Sequence, residues 1–317
     1  MCREAVKARV LNLPEVAGWP EMATAFERAM EQRGVIEWEL PLMACQAVGG
    51  EASVAIPGGA AVACMQLSLL LVDDMLDEDP RGAYLRIGEA AAANLALAFQ
   101  AAAFRVLEHV PMDAERRAAL YAVLSRMALT SAFGQNLDAQ NLGGEENYWK
   151  IVRAKTAPYF GAALYMGALL GQASLEIANR FYDLGLLYGE ILQVSDDLLD
   201  AFEKPASPDW RLGRNNLAIL YALTASHPDS ARIEQLRSEV GTPQALEAAQ
   251  QILVRCGAVS YCIYQLHERY QAARQLIDDV PLVDPAPIQD ALLRQVRPVA
   301  RLFQNLGIAI PFEIGVT

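Results

Sequence analysis

The stretch "LSLLLVDDMLDEDPRG", residues 67–82, runs from six positions of which five are apolar, Leu67 to Val72, straight into acid. Within the next seven positions stand Asp73, Asp74, Asp77, Glu78 and Asp79. Burying charge is expensive unless something compensates it. A helix built for a core that ends in clustered carboxylates therefore asks what neutralises them. A second stretch, "ILQVSDDLLDAFEK" at 191–204, repeats the design with Asp196, Asp197 and Asp200. One such cluster before a proline reads as a solvated helix end; two, each leaving an apolar helix, read as a paired site.

Residues four apart share a helix face, so Asp73 aligns with Asp77, with Asp74 beside them, and Asp196 aligns with Asp200. Hard oxygen ligands at that spacing suit Mg²⁺, which keeps several waters and takes one or two carboxylates plus substrate phosphates. Two such helices facing each other would hold Mg²⁺ around a diphosphate. The apolar runs ahead of the acids would line a pocket for a greasy tail.

The rest of the chain frames that reading. Its 317 residues are 53% hydrophobic, which provides for a large core. Helical periodicity dominates, with breaks at Gly49-Gly50, Pro57-Gly58-Gly59, Asp79-Pro80, Val110-Pro111, Gly143-Gly144, Pro205 to Pro208, His227-Pro228, Gly241 to Pro243 and Pro281 to Pro287. The expectation is an all-α bundle of about ten or more helices around a central cavity. It forms one domain over residues 1–317, with no solenoid repeat. A net charge of −12 without a basic stripe excludes nucleic acid as a partner. Five scattered cysteines (Cys2, Cys45, Cys64, Cys256, Cys262) fit buried thiols in a reducing compartment better than disulfides or zinc. The N-terminus carries no long apolar signal region. The uncharged stretch Ala52 to Val72 is long enough to span a bilayer, but its Pro57-Gly58-Gly59 reads as a turn between two soluble helical segments. A cytoplasmic protein is expected. His109, His227 and His267 are isolated and lack metal-site spacing.

From about Pro41 to Leu223 the chain resembles the trans-isoprenyl diphosphate synthases, whose fold sets two aspartate-rich motifs on opposed helices around a central cavity. The resemblance includes both motifs, "GQNLDAQN" (Gly134, Gln135, Asp138), Lys155-Thr156 within "KIVRAKTAPYFGAALYMGALLG", and Gln193 ahead of the second motif. It continues through "EKPASPDWRLGRNNLAILYAL", with Lys204, Asp209 and Arg214. The resemblance implies an isoprenoid synthase fold and a substrate with an allylic prenyl diphosphate. It implies roughly three Mg²⁺ ions held by Asp73, Asp74, Asp77, Asp196, Asp197 and Asp200. Diphosphate would meet Arg81, Lys155, Gln193, Lys204 and Arg214, while Ser68, Leu69 and Val72 would stand on the pocket wall and Gln135 and Thr156 would border it.

Departures from the family pattern are as informative. Members that elongate chains bind isopentenyl diphosphate through a Gly-Gly-Lys-Arg-x-Arg-Pro segment, and here that place is held by "RGVIEW", residues 33–38. Val35 and Glu37 stand for arginines, Gln66 for a histidine, and only Arg81 remains of the arginines after the first motif. Each lost charge-assisted bond is worth roughly 1.5–3 kcal/mol. The expectation is therefore a class I terpene synthase, a cyclase that releases diphosphate from one allylic substrate. With Ser68 and Leu69 small or aliphatic, its tail would be about twenty carbons long. The alternatives are a prenyltransferase, working through a rearranged acceptor site or a non-diphosphate acceptor, and a non-catalytic partner subunit. The six retained aspartates speak against the last. Relatives pair as homodimers, and the apolar helix from Leu95 to Val106 is the expected interface.

Overall fold

The computed structural model describes residues 2–32 and 37–305, and all of its regular structure is helical. Val35 of the "RGVIEW" reading and residues 306–317 lie outside the described residues. The N-terminal arm holds α1 (Cys2–Leu11), α2 (Pro14–Ala17) and α3 (Pro20–Gln32). The central helices are α4 (Leu40–Ala47), α5 (Ile56–Leu76), α6 (Tyr84–Ile87), α7 (Glu89–Arg105), α8 (Ala114–Ala139), α9 (Glu145–Lys155), α10 (Ala157–Leu170) and α11 (Leu175–Ala201). Six more follow: α12 (Pro208–Leu212), α13 (Leu217–Thr224), α14 (Ser230–Arg237), α15 (Pro243–Arg255), α16 (Ala258–Asp279) and α17 (Ala286–Asn305).

Helix starts follow side-chain chemistry. Asp113, Ser174, Asn216 and Thr242 each accept a backbone N–H in the first turn of α8, α11, α13 and α15, satisfying donors that a helix leaves orphaned. At the centre lies α10, every one of whose residues is buried. A helix apolar on all sides needs neighbours all round; here α4, α5, α8, α9 and above all α11 supply them. Pro158 has no N–H to continue the preceding helix, so the chain breaks at Thr156 and leaves Lys155 and Thr156 on a corner between α9 and α10.

The stretch with bilayer-spanning length, Ala52–Leu76, is mostly packed inside the protein. Its proline does not divide it into two helices as the sequence reading had it. The turn is a 3₁₀ segment, Ala52–Ala55, and Pro57 sits in the first turn of an uninterrupted α5. Proline is tolerated there because the first N–H groups have no intrahelical acceptor. Gly59 belongs to that turn because a Cβ would stand 2.8 Å from the Trp38 carbonyl oxygen. At its other end α5 stops within the acidic run. Asp77 N–H bonds to the Asp73 carbonyl and Asp79 N–H to the Asp74 carbonyl, around Glu78 at φ 51°. That is the Schellman ending, with a glutamate where glycine is usual.

Candidate active site

The first motif is met by cations from two other helices. Lys155, at the end of α9, places its Nζ 2.8 Å from Asp73 Oδ1 and 2.6 Å from Asp138 Oδ2 on α8. Burial alone would lower the Lys155 pKa, but the two carboxylates outweigh it and hold it above the ordinary lysine value. α9 comes this close to α8 because Gly134 has no side chain; a Cβ there would stand 2.2 Å from the Lys155 backbone nitrogen. Arg214, just after α12, pairs with Asp77 Oδ2 at 2.9 Å and donates to the Asp77 carbonyl at 3.2 Å. Arg81 pairs with Asp79 at 3.0 Å and holds its carboxyl below the usual range. Asp74 and Asp77 are both pushed up by burial, with added repulsion from Asp79 and Asp73 respectively.

The second motif is the electrostatic opposite. Among the described residues Asp196 and Asp200 form no ion pair. Burial first, then Asp200, Glu37 and Asp209, push Asp196 up to about 7. Burial, Asp209 and Glu203 push Asp200 up to about 6, against the pull of Arg81. Arg81, paired with Asp79, also acts on Asp200, so the two clusters lie within electrostatic reach of each other.

Asp197 departs from that reading. It is 2% exposed, and both carboxylate oxygens are occupied. Leu217 N–H donates at 2.7 Å and Gln193 Nε2 at 3.0 Å. Its backbone carbonyl accepts from Asn216, which also donates to Asp209. One residue of helix rotation, about 100°, turns Asp197 away from the cleft and into the start of α13. It is a packing and capping group, and the ligand role assigned to it from sequence does not fit. Gln193 accepts a hydrogen bond from Thr156 at 3.1 Å, so Thr156, Gln193 and Asp197 form one chain. Lys204 is exposed and enters no ion pair among the described residues, so no contact brings it to the acids.

A cleft of about 1040 Å³ opens beside the first motif, between α3, α5 and α7. Its mouth carries Asp73, Asp74, Asp77, Arg81 and Arg214; its base is apolar, with Ala63, Leu67, Leu71, Leu95 and Phe99. Ser68, Leu69 and Val72 are not among its lining residues, which corrects the expected wall. The apolar run of α5 does line the cleft, but with Leu67, Leu70 and Leu71, because α3 covers that face. Gln135 and Ser131 are buried on α8, one and two helical turns before Asp138, and Gln135 Nε2 and Ser131 Oγ have no hydrogen-bond partner among the described residues. Orphaned polar atoms at such a place await a ligand or water. Sequence reasoning gave no site role to Asp138, although "GQNLDAQN" was its signal, nor to Arg86, which lines the cleft together with Arg28.

The donor set suits Mg²⁺ in part. Among the described residues no three carboxylates converge on one point. Mg²⁺ does not need that, since one or two carboxylates with phosphate oxygens and waters complete its shell. Asp73, Asp77, Asp196 and Asp200 fit that demand and Asp197 does not.

A family model described as polyprenyl synthetase matches residues 39–253. Among curated relatives, the geranylgeranyl diphosphate synthase of Methanosarcina mazei is 28% identical over 235 residues, covering 69% of this chain and 71% of that one. The octaprenyl diphosphate synthase of Escherichia coli is 25% identical over 256 residues, covering 76% and 79%. The geranylfarnesyl diphosphate synthase of Aeropyrum pernix is 28% identical over 268 residues, covering 77% and 83%. Among solved structures, a geranylgeranyl pyrophosphate synthetase from Pyrococcus horikoshii superposes with a TM-score of 0.80 at 19% identity, covering 92% of this chain and 94% of that one, a likeness of fold. The model match spans more than half of the sequence, and the chain belongs to the polyprenyl synthetase family.

Proposed function

We propose that this protein is a prenyltransferase that ionises an allylic prenyl diphosphate between its two aspartate motifs, releasing diphosphate, and joins the cation to the double bond of a second, diphosphate-bearing isoprenoid. The joined product then loses a proton to the released diphosphate or to water. The observation that carries this over the cyclase reading is the cleft itself. Arg28 on α3, Arg86 on α6, Arg81 and Gln66 line it together with Asp73, Asp74 and Asp77. Counting along the sequence left a second diphosphate with Arg81 alone of its expected arginines; Arg28 and Arg86 add two more from other helices. Guanidinium groups suit phosphate because their planar donors match its oxygens in pairs. The relatives named above, all prenyl diphosphate synthases, support the same reading.

Within that reading the chain's own residues divide the work. Lys155 and Arg214, held on Asp73 and Asp77, are the donors poised to move onto the oxygens of the departing diphosphate. Bound Mg²⁺ would supply the remaining neutralisation of leaving-group charge. Thr156 and Gln193 fix the corner from which Lys155 projects. The apolar base of the cleft excludes water from the cation.

Cyclisation of a single substrate remains the second reading, because Glu37 belongs to the acidic field around Asp196 and would repel a further anion. Incubation of a C15 or C20 allylic diphosphate with Mg²⁺, with and without isopentenyl diphosphate, separates the two. Longer prenyl diphosphates that form only with the second substrate, and that Arg28→Met suppresses by raising its KM, are expected. A hydrocarbon or alcohol released from the allylic substrate alone would overturn the proposal in favour of the cyclase.

A further inference from the structure

Glu190 on α11 is a buried carboxylate, 8% exposed, within one helical turn of Gln193. Arg153 of α9 donates to its Oε1 at 3.0 Å, and Arg269 of α16 to its Oε2 at 2.6 Å. The Arg269 guanidinium also lies 3.8 Å over the ring of Trp149 and donates to Gln265 Oε1 at 2.7 Å. Trp149 donates to Glu145 at 3.0 Å, and Glu145 accepts from the Tyr261 hydroxyl as well. The positions on α9 are 145, 149 and 153; those on α16 are 261, 265 and 269. Both sets advance by four residues along one helix face, so α9 is joined to its neighbours rung by rung.

Such a ladder is a poor device for stability alone. A buried ion pair recovers little more than its desolvation cost, and apolar side chains of similar volume would hold three helices together as well. What charged, directional rungs add is register. α9 is short, and its far side rests on Gly134 of α8, where a bare backbone offers nothing to stop it sliding. Two residues past Arg153 stands Lys155, whose Nζ lies within 2.8 Å of both Asp73 and Asp138. An axial shift of α9 would break that placement and the Thr156–Gln193 bond with it.

We propose that Glu190, held by Arg153 and Arg269, is a positioning residue that fixes the register of α9 and thereby places Lys155 and Thr156 for a diphosphate group. This rests on the reading above that Lys155 meets diphosphate. The test is a cycle of variants, Glu190→Gln, Arg153→Met and Lys155→Met, with each of the first two also combined with the third. Affinity for inorganic pyrophosphate with Mg²⁺ is measured by calorimetry, beside diphosphate release and the thermal midpoint. Displacement of a donor by about 1 Å can cost up to about 100-fold, so Glu190→Gln and Arg153→Met should each weaken pyrophosphate binding at least about tenfold. On the Lys155→Met background the same changes should cost no more than about twofold, because residues acting as a unit are not additive. A purely structural role would multiply the losses in the combined variants and overturn the proposal, as would full affinity in both single variants. Should Glu190→Gln fail to fold, Arg153→Met decides, since its side chain is 62% exposed and its loss leaves Glu190 paired with Arg269. Pyrophosphate binding without turnover of any prenyl diphosphate would refute the prenyltransferase while leaving the positioning proposal intact. Absence of pyrophosphate binding in the wild type would refute the Lys155 reading and this proposal together.

Discussion

Asp196 and Asp197 are adjacent, identical in chemistry and opposite in expected consequence. Asp197 accepts one buried backbone N–H and one amide N–H. Bonds to a charged group contribute about 1.5–3 kcal/mol each, and an orphaned buried donor costs about 1–3 kcal/mol. Against this stands the cost of burying the carboxylate, which lifts its pKa to about 7 in spite of both bonds. Asp197→Ala loses the bonds and leaves a void beside α13, so we expect a destabilisation of about 2–4 kcal/mol. Asp197→Asn is milder. The amide is the neutral isostere of a group that is itself half protonated near pH 7, and its oxygen can still cap Leu217. After its other end turns toward Gln193, that side chain can reverse and still bond Thr156. The expected loss is about 1 kcal/mol, with activity within about tenfold of wild type.

Asp196 accepts no hydrogen bond among the described residues and is repelled by Asp200, Glu37 and Asp209. Asp196→Asn should therefore leave stability unchanged or slightly raised while lowering turnover by about 1000-fold, the scale of removing one preorganised group from a charged transition state. Urea unfolding followed by the helical CD signal measures the first quantity, and enzyme-coupled detection of released diphosphate the second. The reasoning fails if Asp197→Asn is as inactive as Asp196→Asn, or if Asp197→Ala keeps the wild-type urea midpoint.

The other expectations are brief. Asp196, Asp197 and Asp200 have folded pKa values of about 7, 7 and 6, above the unfolded value, so the native state binds more protons between. Metal-free stability should fall as pH rises from about 4 to about 7 and then level off, and a urea midpoint that climbs over that window would contradict this. Gly134→Ala must push α9 outward by about 1 Å to clear the Lys155 backbone, and overpacking of that kind costs about 1–3 kcal/mol; an unchanged melting temperature with full activity would show that α9 yields freely. Leu129 and Phe133 share one face of α8 and are 75% and 57% exposed, so the double change to Asp should turn an expected homodimer into a monomer by light scattering. A monomeric wild type would remove the premise.

The aspartate motifs and most helix breaks were legible because both follow from local rules, spacing on one helix and residues that cannot continue one. Pro57 misled because a proline marks a helix start as readily as a break, and only the 3₁₀ segment ahead of it tells which. The face of α5 that borders the cleft was not legible. Both faces of an all-apolar helix look alike in sequence, and the choice is made by where α3 lies. Which side of the helix from Leu95 to Val106 is free for the expected interface was not legible for a related reason. Leu95, Phe99, Ala103 and Val106 are already buried within the chain, and the exposed side of α7 is marked by Leu97 instead. Arg86 and Glu190 escaped notice because their meaning comes from partners far along the chain; Glu190 is 79 residues from Arg269.

The two motifs carry the same residues at the same spacing yet hold their charge in different ways. In the first, Asp73 and Asp77 are paired with Lys155 and Arg214, so a metal ion bound there would have to displace ammonium and guanidinium groups rather than protons. The displaced groups remain within a side chain's length of the same carboxylates, where phosphate oxygens would stand. In the second, burial and neighbouring acids raise Asp196 to about 7 and Asp200 to about 6, while Arg81 pulls Asp200 the other way, so a metal ion bound there would compete in part with protons. On the proposed reading, metal binding at the second motif would depend on pH, and at the first on the movement of two cations. That asymmetry suits the chemistry proposed. Lys155 and Arg214 stand where they could turn from their carboxylates to a leaving diphosphate, whereas Asp196 and Asp200, which form no ion pair among the described residues, would gain most from a divalent cation.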